Sequence, residues 1–386
     1  MSKNETVNRN IGADVIRCIA CFFVVSVHFF LHSGFYTNVF LGKKMFVMTL
    51  FRSLFITCVP LFMILSGYLM KDKKLNLQYY KKIWKTVVTY VLASVACILY
   101  RSLFLKEIWG ISKIIRSVLD FTAAPYSWYV EMYLGLFLLV PFLNILYNNI
   151  PSKQGKKALI LVLFINTAMP AILNVYNFHT AGWWSTPSIE RSYNKLIPAF
   201  FVDLYPVTYY FIGCYLREYG IKIKKALNLL LILGTTLILG AYTFWRSNNS
   251  TFVWGDWDIY HSPLVALLAV LLFTLFINLE YKRFPLWVKS VFKKISALSF
   301  GIYLVSWIFD NSVYPQLLAK VPEVTDRFPY YVVIVPFVFI CSFLLSWAIE
   351  LVEKGLTFIL NRIKPITKKS QKVKKTSVLP TESLVK

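Results

Sequence analysis

The chain has 386 residues, of which 57% are apolar and only 16% are charged. A water-soluble protein of this length carries about a quarter charged residues, so the composition excludes an ordinary soluble enzyme, a disordered chain and a fibrous protein. A protein embedded in a membrane remains. The formal net charge of +24 would indicate nucleic acid as the partner of a soluble protein, but here the placement of basic residues about the membrane must be considered first.

Ten apolar runs, each long enough to cross a bilayer as a helix, follow one another along the chain. They cover residues 12–33, 47–70, 86–105, 128–147, 157–175, 199–217, 226–245, 259–279, 296–314 and 330–353. None shows the alternation at every second residue that the strands of a membrane barrel require. The sequence therefore predicts an all-α protein, a polytopic membrane helix bundle with about ten transmembrane helices.

Basic residues are distributed unequally between the loops, and this predicts the orientation of the bundle. Most of the 42 Lys and Arg residues lie in segments on the side of the N-terminus and in the C-terminal tail, as is typical of cytoplasmic segments. We therefore expect both termini in the cytoplasm, a transmembrane domain over 1–353 and a basic cytoplasmic tail over 354–386. This distribution explains the net charge without nucleic acid and predicts a multi-pass protein of the cell membrane, with the lipid bilayer as a partner.

The first span contains four polar side chains, Asp14, Arg17, His28 and His32. Arg17 and His28 are eleven positions apart, which places them on one face of a helix and roughly 16 Å apart along its axis. Asp14 lies one turn before Arg17 and could hold its guanidinium group. Ionisable groups inside a span are expensive and therefore indicate function. The alternatives are an Arg17 that extends to the inner headgroups and a His28 that packs against a neighbouring helix.

Neither the histidines nor the six cysteines indicate a metal site. His28 and His32 have the i, i+4 spacing of metal ligands, but HFFLH lacks the Glu of the HExxH motif and no third ligand is evident. The cysteines lie within or beside apolar runs and form no framework of pairs. We expect no metal and no bound cofactor.

Further candidates lie towards the outer face. Glu131, just inside the fourth span, is a candidate catalytic carboxylate, and its alternative is an interfacial Glu in contact with water. Asp310 ends the ninth span. The outer segments 176–198 and 246–262 combine aromatic rings with amides and carboxylates, as a sugar-binding surface requires. Their tryptophans are Trp183, Trp184, Trp254 and Trp257. An aromatic belt at the membrane interface is the alternative for these tryptophans.

Four motifs, in this order and spacing, resemble the acyltransferase 3 family of integral membrane acyltransferases. The first is the segment Ala13-Asp14-Val15-Ile16-Arg17 followed by His28, which is similar to the family's Arg-x10-His signature. The others are PLFMILSGYL at 60–69, YYFIGCYL at 209–216 and LSFGIYL at 298–304. The resemblance covers about residues 11–353. Within the second motif, the small residues at 66 and 67 predict a close contact between helices.

The resemblance implies a cytoplasmic acyl-CoA donor, usually acetyl-CoA, and an acceptor hydroxyl on a surface polysaccharide or lipid-linked glycan outside. It also implies that Arg17 and His28 belong to the active centre. His28 would act as a general base or carry the acyl group transiently. The expected donor-binding residues are Arg17, Asp14, Lys81, Lys82 and Lys85. The expected acceptor-binding residues are Trp183, Trp184, Trp254, Trp257 and Asp310.

The chain departs from the family pattern at two places. Ser306 stands near the position of a His that members often carry after the fourth motif. Lysines 81, 82 and 85 stand where many members have an Arg, which binds phosphate with a fork of donors rather than as a point charge. A transporter or flippase of lipid-linked saccharides is the competing hypothesis, and a membrane-anchored sensor is a third. The absence of an internal repeat and the scarcity of charges in the later spans speak against the transporter.

Overall fold

The structure, a computed structural model, describes the backbone of residues 10–179, 182–185 and 193–375, and the side chains as far as residue 359 except that of residue 185. Its α-helices are α1 Ile11–His32, α2 Gly42–Phe55, α3 Cys58–Met70, α4 Leu77–Lys81, α5 Ile83–Leu103, α6 Ile111–Leu119, α7 Trp128–Asn148, α8 Lys153–Thr167, α9 Pro170–Leu173, α10 Gly182–Ser185, α11 Tyr205–Tyr219, α12 Lys225–Ser247, α13 Pro263–Ile277, α14 Leu286–Lys320, α15 Val324–Arg327 and α16 Tyr331–Lys375. Within the described ranges there is no strand, only an isolated bridge between Phe40 and Asn248. The predicted all-α fold class is therefore confirmed.

Eight helical segments of the described chain are long and apolar enough to cross a membrane. They are Ile11–His32, Gly42–Met70, Leu77–Leu103, Trp128–Asn148, Lys225–Ser247, Asp256–Ile277, Leu286–Lys320 and Val324–Ile359. The other two predicted spans, 157–175 and 199–217, fall on α8 and α11, which have 15 residues each, whereas a spanning helix needs about 20. The polytopic architecture is confirmed, while the count of ten and the cytoplasmic termini stay predictions.

The N-terminal helix α1 lies at the centre of the bundle, in contact with α2, α3, α13, α14 and α16. It begins at Ile11 because the side chain of Asn10 accepts a hydrogen bond from the Ala13 N–H, which satisfies one of the free donors of the first turn. Asp14 in this first turn is favoured by the positive end of the helix dipole.

Helix α14 runs parallel to α1. Near the start of α14, Ser296 contacts Arg17, and further along the same helix Asp310 contacts His28. The two helices thus bring polar groups together at two levels of the bundle. We call the level of Arg17 the inner end and the level of His28 the outer end, following the predicted orientation.

Glycines within the motifs bring pairs of helices into close contact. A Cβ atom at Gly67 of α3 would overlap the carbonyl oxygen of Tyr210 in α11, and one at Gly213 would overlap the backbone of α3. In the same way, a Cβ at Gly301 of α14 would overlap the hydroxyl of Ser346 in α16. The close contact predicted for the small residues at 66 and 67 is confirmed at Gly67. These motifs hold together the helices that surround the candidate site.

The C-terminal helix α16 continues beyond the last predicted span. That span, 330–353, forms the first part of α16, which runs as one helix to Lys375. Since the helix does not end at residue 353, the division into a domain over 1–353 and a tail over 354–386 stays a prediction made from composition and charge.

Candidate active site

A cavity of about 630 Å³ lies beside α1, between α3, α14 and the segments that precede α7 and α13. Its polar and aromatic wall residues include Arg17, Tyr36, Arg52, Ser66, Thr86, Trp128, Trp254, Tyr260, Ser296 and Tyr303. His28 and Tyr126 line it as well. The wall of the cavity thus contains both Arg17 and His28, which their spacing of eleven positions placed on one face of α1. An elongated ligand that occupies it would contact both residues.

The inner end of the cavity is polar. The Nη1 atom of Arg17 donates a hydrogen bond of 3.3 Å to the Ser296 hydroxyl, and the side chains of Ser66 and Thr86 complete this part of the wall. Asp14 is buried one turn before Arg17, where it contributes negative charge next to the guanidinium. The predicted donor lysines, Lys81, Lys82 and Lys85, are exposed. Lys81 ends α4, Lys82 lies between α4 and α5, and Lys85 lies in the first turn of α5, next to Thr86 in the chain.

The outer end contains a histidine and a carboxylate. Nδ1 of His28 lies 3.3 Å from Oδ2 of Asp310, within ion-pair distance although not aligned as a hydrogen bond. Asp310 is fully buried and His28 is 8% exposed. A buried carboxylate is costly unless a positive or hydrogen-bonding partner compensates for it. Asp310 therefore places its carboxylate directly beside the His28 ring.

Tyr126 connects the groups at this end. Its hydroxyl donates a hydrogen bond of 2.7 Å to Oδ2 of Asp310 and lies 2.6 Å from Nε2 of His32. Its ring lies against that of His28, with centroids 3.8 Å apart. Burial, together with the charge of Asp310, raises the pKa of the Tyr126 hydroxyl well above its ordinary value, so the hydroxyl stays protonated and continues to donate.

His32, the second histidine of α1, belongs to the same network. Its Nε2 atom lies 4.0 Å from Oδ2 of Asp310, and its ring stacks on that of Tyr314 with centroids 5.3 Å apart. His28 and His32 therefore share a carboxylate. Among the described residues, no group of three or more His, Cys, Asp and Glu side chains could hold a metal ion.

Glu131 is not brought to this network. It lies on an exposed part of α7 and is not among the wall residues of the cavity. Its catalytic role stays a prediction.

Ser306, near the position where a His was expected, is fully buried and donates its hydroxyl to the Tyr303 carbonyl of its own helix. Asp310, about one turn further along α14, contacts the histidines instead.

The four tryptophans of the outer segments have different environments. Trp254 lines the cavity and is 59% exposed, whereas Trp184 is exposed away from the cavity wall. Trp183 and Trp257 are buried on either side of Arg246, whose Cζ atom lies 4.8 and 4.4 Å from their ring centroids. Such cation–π contacts stabilise a desolvated guanidinium. Trp183 and Trp257 thus hold the outer segments together, and Trp254 is the one of the four on the cavity wall.

The structure also contains a buried ion pair that sequence reasoning missed. Nη1 of Arg52 lies 3.0 Å from Oδ2 of Asp258 and donates a 2.8 Å hydrogen bond to the carbonyl of the same residue. Both side chains are almost fully buried. Arg52 was recognisable as a charge within a span, but its partner is 206 positions away in the chain. No local pattern could have joined them.

The bundle and its cavity define an integral membrane protein with an active-site-like network inside it. Residues 10–347 match the acyltransferase 3 family, described as an acyltransferase domain. This match covers most of the chain, and the chain belongs to that family. The protein is therefore a multi-pass membrane acyltransferase, as the resemblance predicted. No curated protein and no solved structure shows significant similarity to it.

Proposed function

We propose that the protein transfers an acyl group, most simply acetyl, from cytoplasmic acyl-CoA to a hydroxyl of an extracytoplasmic surface polysaccharide or lipid-linked glycan. The observation that carries this proposal is the single cavity lined by both Arg17 and His28. The two residues are roughly 16 Å apart along α1, which is comparable to the reach of an extended pantetheine arm. The acyl group would cross the membrane along this arm, while the bulk of the acceptor stays outside.

The inner end suits the donor. A CoA molecule carries several phosphate charges, and Arg17 can bind a phosphate through a fork of two donors. Lys81, Lys82 and Lys85 add exposed positive charge near the same end. Asp14 and Ser296 would hold the Arg17 guanidinium in place rather than contact the donor. With the donor held there, its thioester would extend along the cavity towards His28.

The outer end suits the transfer. With Nδ1 of His28 directed at Asp310, Nε2 is the nitrogen that can accept a proton. In direct transfer, His28 takes the proton of the acceptor hydroxyl as its oxygen attacks the thioester carbonyl. The carbon–sulfur bond then breaks, and the departing thiolate receives the proton, so that free CoA and an ester result. In the other order of events, His28 itself carries the acyl group before the acceptor arrives.

The test uses the purified protein in lipid nanodiscs with acetyl-CoA and with extracts of cell-surface glycan. We expect continued release of free CoA, beyond one equivalent per protein, only when acceptor is present. His28→Ala should lower this release by about 10²–10⁴-fold, the usual contribution of a general base, and leave acetyl-CoA binding unchanged. Arg17→Lys should weaken acetyl-CoA binding, because Lys keeps the charge but loses the fork.

Two results would contradict the proposal. Transfer at the parental rate by His28→Ala would make His28 a packed histidine rather than a catalytic one. Unchanged donor affinity in Arg17→Lys would indicate that Arg17 extends to the headgroups instead of binding the donor.

A further inference from the structure

Two stacked aromatic pairs stand on the outer wall of the cavity. Trp254 stacks on Tyr36, with ring centroids 4.6 Å apart and an interplanar angle of 25°. Trp128 stacks on Tyr260, with centroids 5.4 Å apart and an angle of 19°. All four residues line the cavity. Each tryptophan thus has a tyrosine ring stacked against it, and Trp128 and Trp254 keep 42% and 59% of their surface exposed.

Trp254 is held in position by Arg52. Besides its bonds to Asp258, the Arg52 side chain donates from Nε to the Tyr36 hydroxyl at 3.3 Å, and its Cζ atom lies 5.0 Å from the ring centroid of Phe252. The guanidinium thus fixes residues on both sides of Trp254 and the tyrosine on which it stacks. A desolvated ion pair at this place is costly, which argues that the position of the segment matters.

Trp128 is tied to the catalytic network by the chain itself. It lies two residues after Tyr126, whose hydroxyl contacts Asp310 and His32. Trp128 and His28 both line the cavity, so a ligand that rests against Trp128 occupies the same cavity as the proposed base. The partly exposed rings of Trp128 and Trp254 thus share one cavity with His28 and Tyr126.

Building on the proposed function, we infer that Trp128 and Trp254 form the acceptor subsite and bind a pyranose ring by stacking. A pyranose presents a face of C–H groups that packs on an aromatic ring, and its hydroxyl groups point outward from the ring edge. Aromatic walls with a few polar groups are typical of such ligand sites. Arg52 is the positioning residue of this subsite, since it acts through Tyr36 and the segment of Trp254. Trp183, Trp184 and Trp257 take no part in it.

The experiment compares ring-shaped and open-chain acceptors. The purified protein in nanodiscs is supplied with saturating acetyl-CoA and either a panel of methyl hexopyranosides or glucitol, a polyol of similar hydroxyl content without a ring. CoA release and ester formation are measured as functions of acceptor concentration. We expect kcat/KM to be at least about tenfold higher for the best pyranoside than for glucitol.

Variants then assign this preference to residues. Trp254→Ala and Trp128→Ala should each raise KM for the pyranoside about tenfold, as truncation of an aromatic anchor commonly does, while KM for acetyl-CoA stays unchanged. Trp254→Tyr keeps a stacking ring and should recover most of the affinity, which separates stacking from misfolding. Trp184→Ala is the matched control, since Trp184 is similarly exposed in an outer segment but lies off the cavity wall; we expect no change.

The outcomes separate the inference from the proposed function. If pyranosides and glucitol are acylated equally well, or if Trp254→Ala leaves the pyranoside KM unchanged, the inference is overturned while acyl transfer stands. An effect of Trp184→Ala equal to that of Trp254→Ala also overturns it. If acetyl-CoA binds but neither these acceptors nor extracts of cell-surface glycan are acylated, the proposed function fails and the inference fails with it. If the extracts are acylated but no pyranoside is, the inference alone is overturned.

Discussion

Replacing Asp310 with Asn removes one charge from the outer network and keeps the size of the side chain. At the 3.3 Å between Oδ2 of Asp310 and Nδ1 of His28, the attraction between a carboxylate and an imidazolium is about 5 kcal/mol for an effective dielectric constant of about 20. This stabilisation arises only when His28 holds the proton, that is, during transfer. Because about 1.4 kcal/mol corresponds to a factor of ten in rate, we expect Asp310→Asn to slow transfer by about 10³-fold.

The assay measures ester formation from labelled acetyl-CoA in membranes with matched expression, together with acetyl-CoA binding. Binding should persist, since Arg17 lies at the inner level of the bundle and Asp310 at the outer level. Ser306→Ala is the control: Ser306 is also buried in α14, but its hydroxyl bonds only within the helix, and we expect transfer within about twofold of the parent. If Asp310→Asn retains more than a tenth of the parental rate with intact folding, the carboxylate does not support the proton on His28 and the assignment of roles is wrong.

The other predictions concern the second histidine, the buried ion pair and the orientation. His32→Ala removes one partner of the Tyr126 hydroxyl but leaves its bond to the carboxylate, so transfer should fall by about tenfold or less, the equivalent of one hydrogen bond; a loss equal to that of the His28 variant would contradict this. Arg52→Met leaves Asp258 buried without its cation and should lower stability by about 3–5 kcal/mol, seen as a lower melting temperature in detergent. Adding Asp258→Asn should recover much of that loss, and no recovery would show that the charge is not its cause. Asn249→Cys should react with an impermeant thiol reagent from outside the cell, against a low background because the six native cysteines are buried or half-buried; labelling only after lysis would reverse the predicted orientation.

The part of the site that could be predicted is the part that lies on one helix. A helix turns by about 100° per residue, so two residues eleven positions apart must share a face, whatever surrounds them. Arg17 and His28 therefore line one cavity, as their spacing indicated. The fold class was predictable for a similar reason, because a bilayer imposes the same length and apolar character on every spanning helix.

The remainder of the site depends on contacts between distant segments. Tyr126 and Asp310 are 184 positions apart, and neither residue is unusual in its local sequence. Asp310 was predicted to bind the acceptor because it ends a span on the outer side. Its place beside His28 depends on how α14 packs against α1. One of its carboxylate oxygens, Oδ1, has no hydrogen-bond partner among the described residues. Asp310 is fully buried and is not among the wall residues of the cavity, so its contact with the acceptor stays a prediction.

The predicted tryptophans also show that the role of a residue depends on contacts between distant segments. Composition predicted that the outer segments are rich in aromatic rings, but it could not assign a role to each ring. Contact with Arg246 distinguishes these rings, because the buried guanidinium of Arg246 packs against Trp183 and Trp257. Trp254 is left at the cavity, where Tyr36 supports it. Trp128 was not among the predicted site residues, because it begins α7 and was counted with the apolar residues of that span.

The positions of the charged groups fit a cavity that binds the donor at one end and performs the transfer at the other. Each ionisable side chain inside a span is costly, so its depth is informative. Arg17 lies at the inner end, where a phosphate-bearing donor would arrive. The two buried ion contacts described above lie towards the outer end; they join His28 to Asp310 and Arg52 to Asp258. A protein that moved a whole saccharide across the membrane would need polar groups at every depth. The aromatic and apolar wall between the two ends suits the passage of a short acyl arm instead.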